Sequence, residues 1–498
     1  MGVAQVSIKL EEWIIEADIT SMQTAMEAGL ISSQELVEVY LDRISKYDSI
    51  INSILEINPE AIQIARALDK ERKEEGSRGR LHGIPILLKD NIDTQDKMHT
   101  SAGSVALAKS FAAMDSFVTS KLRLAGAVIL GKANMTEWSN FMSSKMPAGY
   151  SSRGGLVLNP YGAGELFISG SSSGPAAAIA TNLGAAAIGT ETAGSIVGPA
   201  SQNFLVGIKP TVGLVSRAGI IPISFSQDTP GPIARTVSDA AIILGALTGV
   251  DDKDTATLSS ENRSYVDYTQ FLDEHFLRHA RIGIPRHYYN KLDEERLSIM
   301  ENAITILKNA GATIIDPVSL HVEQNNWNND VICYEFKQGL NQYLSQLANT
   351  VPVHSLEELI VYNENHAEIA SKYGQDTLIR SDETMLTEQT YLQKKYEYDE
   401  LALKEGIDDV IDKYSLDALM LPGDIDAMYI AARLGYPLVT VPAGYSSTGV
   451  VDSDGDHTKG PFGVVFSGKA FSEPTLIKIA YGFEQATHYR FPPQLDQV

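Results

Sequence analysis

Three short apolar runs bounded by glycine or proline constrain this chain more than any other feature: GIPILLKD (83–90), AGAVILGKAN (125–134) and GAAAIGTE (184–191). Runs this short with such punctuation predict strands rather than helices. Segments with helical spacing, such as DSFVTSKLRLAG (115–126), lie between them. Strands that alternate with helices imply an α/β sheet. The pattern returns in LDALMLP (416–422), YPLVTVPAG (436–444) and FGVVFSG (462–468), followed by the helical segment SEPTLIKIAYGFEQAT (472–487). The terminal strands are therefore expected to rejoin the main sheet.

The rest of the chain is organised around that sheet. Residues 1–76 read as a helical lead-in: EEWIIEADITSMQTAMEAG and SSQELVEVYLDRISKYDS carry apolar residues at helical spacing, and the second begins with a serine cap. Residues 77–250 form the expected catalytic core. A variable, helix-rich stretch over 251–415 begins with the short runs RIGIP (281–285) and ATIIDP (312–317) and is strongly helix-prone from about 320. Residues 416–498 return to the core. With no internal repeat and no Pro/Ser/Gly linker, a single domain over 1–498 with a helical insertion is the simplest organisation.

Charge and cysteine content exclude several classes. The balance of 40 Lys+Arg against 63 Asp+Glu gives a net charge of -23, and no basic block interrupts it, so nucleic-acid and anionic-membrane partners are not expected. Cys333 is the only cysteine, which rules out an intrachain disulfide and a multi-cysteine metal site and suits a reducing compartment. The first residues show no secretory pattern, and the Ala/Gly-rich stretch from Pro175 to Gly189 is a poor membrane span. The expected location is cytoplasmic.

The middle of the chain concentrates hydroxyls and glycines: Gly170-Ser171-Ser172-Ser173-Gly174, then Gly189-Thr190-Glu191-Thr192-Ala193-Gly194-Ser195-Ile196. Glycines let backbone N–H groups converge on one point, and a hydroxyl among such donors can attack a carbonyl while they hold the oxyanion, as acyl transfer requires. Lys89 closes the apolar run Ile84 to Leu88, so a buried strand would carry its ammonium to the edge of the core. Burial disfavours the charged form and makes lysine a usable base near neutral pH. Taken singly, each has a plainer reading: a flexible turn, an ordinary strand-to-loop connection, and a lysine paired with Asp90 or Asp93.

The ordered phrases L-x-G-I-P-x-x-L-K-D, GSSSG, GTETAGSI with its serine 24 positions after Ser171, and SQDTPGPIAR (226–235) resemble the amidase-signature family. The resemblance runs from about Ser33 to the C-terminus and is greatest to the peptide amidases, through GTET-G-SIV, VGIKPTVGLVSR and GIIPISFSQDT. It implies a single large mixed β-sheet covered by helices on both faces. It also implies a Ser-cisSer-Lys triad, here Ser195 as nucleophile, Ser171 as proton relay beside a cis peptide bond, and Lys89 as base. The oxyanion donors would be the backbone amides of Thr192, Ala193, Gly194 and Ser195. No metal or organic cofactor is implied. The expected partner is a small carboxamide or peptide amide, with a homo-oligomer left open. Two positions depart from the common family pattern. Pro175 follows the serine loop, where the first turn of a helix tolerates it, and Val197 replaces a frequent arginine.

Other readings compete. Gly170 to Gly174 also satisfies G-x-S-x-G, which would make Ser172 the nucleophile of an α/β-hydrolase but leaves Lys89 and GTETAGS unexplained. Gly126 to Ala133 approximates a phosphate loop without its metal-binding hydroxyl. His275 and His279 have helical metal-ligand spacing without the intervening glutamate and suit a surface helix. Asp452, Asp454 and Asp456 suggest an acidic turn more than a calcium loop. Asp228 and Arg235 are expected to be structural. The same triad could serve carbamates, anilides or nylon-type oligoamides, or the amidase-like subunit of the glutamyl-tRNA amidotransferase. The insertion over about 320–415, together with residues 138–170, is expected to line the substrate pocket.

Overall fold

The computed structural model describes residues 9–320, 329–423, 425–448 and 459–495. The described residues form β1 (Ile54–Ile57), β2 (Pro85–Lys89), β3 (Val128–Ala133), β4 (Tyr150–Ser151), β5 (Gly155–Leu156), β6 (Ala186–Glu191), β7 (Val206–Lys209), β8 (Thr229–Ala234), β9 (Arg281–Gly283), β10 (Thr313–Ile315), β11 (Ala418–Pro422), β12 (Leu438–Ser446) and β13 (Gly460–Ser467). The predicted runs supply β2, β3, β6 and β9 to β13, whereas β1, β4, β5, β7 and β8 were not expected. Eleven of them make one mixed sheet in the order β1-β3-β2-β6-β8-β7-β12-β13-β11-β9-β10, and β4 and β5 form a separate hairpin. The C-terminal strands do rejoin the main sheet.

Strands β3, β2 and β6 run parallel, with Ile86 opposite Ile129 on one side and Ala186 on the other. All residues of these three strands are buried, as parallel strands covered on both faces must be. In open α/β sheets, sites form beyond the carboxyl ends of such strands, and Lys89 and Glu191 occupy those ends.

Two local expectations need correction. The lead-in is not wholly helical: Ile54–Ile57 is an edge strand antiparallel to β3. The first helical run is also interrupted, because Glu16 takes a positive φ and Asp18 caps a new helix over Ile19–Glu27, accepting from Ser21 N at 2.6 Å. The serine cap of the second run holds, since Ser32 and Glu35 form a capping box at the start of Ser33–Ile51.

The insertion packs as helices over Asp330–Leu344, Leu356–Asn365, Asp376–Asp382 and Glu388–Glu405. Phe336, Leu340, Leu344, Leu356, Leu359 and Leu378 join Trp138, Met142, Met146, Ile221 and Ile223 in an apolar cluster separate from the main core. The insertion is thereby anchored above the ends of β2 and β6. No helix among the described residues is long and apolar enough to cross a membrane.

Candidate functional site

Lys89, the last residue of β2, has no exposed surface. Its Nζ donates to Ser171 Oγ at 2.7 Å, Thr190 Oγ1 at 2.9 Å and the Thr190 carbonyl at 3.1 Å. Burial pulls its pKa from 10.5 down to about 7, against the weaker opposing pull of Asp228 and Glu191. A neutral amine is therefore accessible to this side chain at ordinary pH.

Ser171 lies in the loop before the helix Ser173–Ala180 and is fully buried, and the Gly170–Ser171 peptide is cis. Its carbonyl accepts from Thr136 N at 3.1 Å. Ser195 precedes the short helix Val197–Gln202 and, at 8 % exposure, is the most accessible of the three. The Ser171 and Ser195 hydroxyls make no hydrogen bond to each other among the described residues. Their loops are joined through the backbone instead, with Ser172 N donating to the Ser195 carbonyl at 3.1 Å. Ser172 itself is fully buried, its Oγ accepting from Thr190 N at 3.3 Å and donating to the Thr190 carbonyl at 3.2 Å. It staples strand to loop, a poor position for the exposed nucleophile of an α/β-hydrolase.

The glycine-rich loop is shaped by Glu191, a residue to which no sequence motif assigns a role. One carboxylate oxygen accepts from Gly194 N at 2.8 Å, and the other from Ile196 N at 2.7 Å and Val197 N at 3.0 Å. The Gly194 amide, expected among the oxyanion donors, is thus already taken by the Glu191 side chain. The amides of Thr192, Ala193 and Ser195 carry no such bond among the described residues. Asp228 ties this loop to the next one, accepting from Thr192 Oγ1 at 2.5 Å, Ile223 N at 2.8 Å and Ser224 N at 2.9 Å, and its burial raises its pKa to about 6. Asn91, two residues beyond Lys89, donates to Thr190 Oγ1 at 3.0 Å.

A cavity of about 550 Å³ opens beside Asn91, Thr190, Thr192 and Asp228, and Lys89, Ser171 and Ser195 are not among its lining residues. It is also lined by Ile221, Pro222 and Ile223, by Ala112 to Asp115 with Phe117, and by Gly339, Gln342, Tyr343, Gln346 and Leu347 of the insertion. The insertion contributes as expected, but of residues 138–170 only Ser139 lines this space. Met142 and Met146 are instead buried in the apolar cluster that anchors the insertion. The loops at 112–117 and 217–230 take their place, which no local pattern announced.

The other candidates fall elsewhere. Buried Arg235 donates to the Gly184 carbonyl at 2.9 Å and the Ala17 carbonyl at 2.7 Å, fastening the lead-in to the sheet. Pro175 lies in the first turn of its helix, and Val197 is buried. Lys132 of the phosphate-loop look-alike is buried and bonded to Thr100 Oγ1 at 2.9 Å and to the Ile92 carbonyl. His275 and His279 flank a single 3₁₀ turn, where helical i, i+4 spacing has no meaning. Among the described residues no three His, Cys, Asp or Glu side chains are grouped as metal ligands. Asp452, Asp454 and Asp456 lie outside the described residues.

Known proteins share both this sequence and this fold. The Amidase family model matches residues 35–477. A probable amidase of Arabidopsis thaliana is 42% identical over 507 residues, covering 99% of this chain and 94% of that one. The structure of the peptide amidase from Stenotrophomonas maltophilia superposes with a TM-score of 0.88 at 42% identity, over 97% of this chain and 99% of that one. One subunit of the glutamyl-tRNA(Gln) amidotransferase of Gloeothece citriformis is 32% identical over 495 residues, 93% of this chain and 96% of that one.

Proposed function

Because the chain belongs to the amidase-signature family and is an amide hydrolase, we propose that it releases ammonia from C-terminal peptide amides and related small carboxamides through an acyl-enzyme on Ser195. The observation that carries this reading is the 2.7 Å bond from a fully buried Lys89 to Ser171 Oγ.

In the proposed reaction, neutral Lys89 accepts the Ser171 hydroxyl proton as Ser171 takes the proton of Ser195, whose Oγ attacks the substrate carbonyl carbon. The amides of Thr192, Ala193 and Ser195 are the proposed oxyanion donors, with Gly194 left out because its N–H is held by Glu191. Collapse breaks the C–N bond, and Ser171 returns a proton to the leaving nitrogen while Lys89 supplies one to Ser171. Water then repeats the sequence on the ester. A cavity of about 550 Å³ suits a peptide-sized acyl group better than a short free amide. Its apolar wall at Ile221 and Ile223 and the exposed Met114 and Phe225 suit apolar side chains. A cytoplasmic location belongs to the same reading, on the single cysteine.

The test is release of the leaving group by the purified chain from a panel of substrates: ammonia from C-terminal peptide amides and free amides, and the arylamine from anilides and N-aryl carbamates. Peptide amides are expected to have the highest kcat/KM. Inert peptide amides beside rapidly cleaved aryl carbamates would leave the chemistry and overturn the substrate class. Turnover only within an assembly carrying tRNA would favour the role of an amidotransferase component.

A further inference from the structure

Phe225 lines the cavity with 45 % of its surface exposed, and Met114 lines it with 57 % exposed. Single exposed apolar side chains are ordinary, but two large ones bordering one cavity mark a place where apolar surface is to be covered. The carboxyl groups on the same lining already have donors from the chain. Asp93 accepts from Tyr343 Oη at 2.8 Å, Asp115 from Arg123 Nε at 3.0 Å and Asp228 from Thr192 Oγ1 at 2.5 Å. Asp251 accepts from Ser216 Oγ at 2.5 Å and Asp254 from Arg217 Nε at 2.7 Å. The bare apolar surface is what an occupant would cover.

For an exposed residue, Phe225 is firmly held. Glu335 lies in the insertion helix Asp330–Leu344 and has no exposed surface. One of its oxygens accepts from Ser224 Oγ, from Ser226 N at 3.3 Å and from Ser226 Oγ at 2.9 Å, and the other from Tyr391 Oη at 2.7 Å. The serines on either side of Phe225 are thus tied to the insertion, and of the three residues only Phe225 borders the cavity. The Phe225 carbonyl accepts from Arg217 Nη1 at 2.5 Å, and its ring meets the Tyr391 ring edge-on with centroids 6.2 Å apart. A carboxyl group is costly to bury unless its oxygens are paired, and here the pairing fixes the loop that carries Phe225. The same loop ends at Asp228, bonded to Thr192. Thr192, whose amide is a proposed oxyanion donor, also borders the cavity, so the first side chain of the acyl portion to reach it is that of the residue bearing the carboxamide.

We propose that Phe225 is a specificity-determining residue that covers a large apolar side chain on the residue bearing the carboxamide, and that Glu335 is the positioning residue that holds Phe225 there. This inference rests on the peptide-amide reading above.

The test compares kcat/KM for Nα-acetyl phenylalaninamide and Nα-acetyl glycinamide. Wild type is expected to favour the phenylalanine substrate by about tenfold or more, the scale of placing apolar groups in an apolar site. Phe225→Ala should bring the ratio close to one, mainly through KM, because the contact is made before the transition state as well as in it. Its side chain is half-exposed, so the truncation spares the core. Glu335→Ala should lower the ratio as well, and so should Ser226→Ala, which removes one of the contacts from the loop side. Glu335→Gln should keep the ratio, since glutamine can turn its oxygen to the serines and its NH2 to Tyr391 Oη, which can accept. A Glu335 that only supported the fold would slow both substrates alike, so an unchanged ratio in Glu335→Ala and Ser226→Ala would overturn its positioning role. A ratio that survives Phe225→Ala would overturn the proposal outright. So would turnover of both substrates by wild type without discrimination, a comparison that needs no folded variant. If neither amino acid amide turns over while short free amides do, the peptide-amide reading has fallen and takes this inference with it.

Discussion

Lys89 Nζ lies 2.7 Å from Ser171 Oγ, and its other two partners are uncharged oxygens of Thr190 at 2.9 and 3.1 Å. A lysine paired with a carboxylate would be held charged, whereas this one is surrounded by hydroxyl and carbonyl groups in a region closed to solvent.

The pH dependence follows from that setting. With the Lys89 pKa lowered to about 7, the ammonium predominates below that pH and the neutral amine above it. The proposed base is the amine, so kcat/KM should rise with pH along an acid limb centred near 7. Lys89→Arg should lose as much as Lys89→Ala, about a thousandfold or more, since arginine keeps the charge but cannot give up its proton. Near-wild-type turnover in Lys89→Arg, with the acid limb unmoved, would show that the proton leaves Ser195 by another route.

The two serine loops separate by a labelling experiment. Ser195 is partly accessible, whereas Ser172 is fully buried and bonded at both its N–H and its hydroxyl. A phosphonylating reagent should label wild type and Ser172→Ala but not Ser195→Ala, as read by intact mass. Ser172→Ala should cost stability instead, about 1–3 kcal/mol, because Thr190 N loses its buried acceptor. Labelling retained in Ser195→Ala and lost in Ser172→Ala would move the nucleophile into GSSSG.

What the sequence could and could not disclose divides along physical lines. Lys89 at the end of a buried strand is legible because an apolar run closed by a lysine is a local pattern, and β2 has that form. Strand β8 carries no such signature. It lies inside the sheet although Pro230 and Pro232 cannot donate to a ladder, and this is tolerated because β7 pairs only at Ile233 and Ala234, beyond both prolines. Strand β1 was hidden because four residues between two helices, three half-buried and Ile57 exposed, give too short an alternation to register. Asn91 and Glu191 sat in plain view beside the motifs. Their partners, Thr190 Oγ1 from a neighbouring strand and three amides of a folded-back loop, exist only once the sheet and loop have formed. The far wall of the cavity is equally non-local, since it depends on where the insertion settles.

Glu191 offers the sharpest test of how that loop is held. Its two oxygens accept three backbone amides, from Gly194, Ile196 and Val197, so the carboxylate fixes the chain on both sides of Ser195. Glutamine has the same shape but only one acceptor oxygen. If that oxygen keeps the Ile196 and Val197 amides, the new NH2 group faces the Gly194 N–H, donor against donor. Glu191→Gln should therefore let the Gly194 peptide turn away and disturb the adjoining amides proposed to bind the oxyanion. The expected signature is a fall in kcat of about tenfold to a hundredfold with a smaller change in KM, because oxyanion stabilisation is expressed in the transition state. Stability should drop by about 1–3 kcal/mol in denaturant unfolding, the cost of a buried donor without an acceptor. A variant that loses stability but keeps wild-type kcat would mean that Glu191 supports the fold of the loop without setting the geometry of its amides. The oxyanion donors would then have to be sought outside residues 192–195.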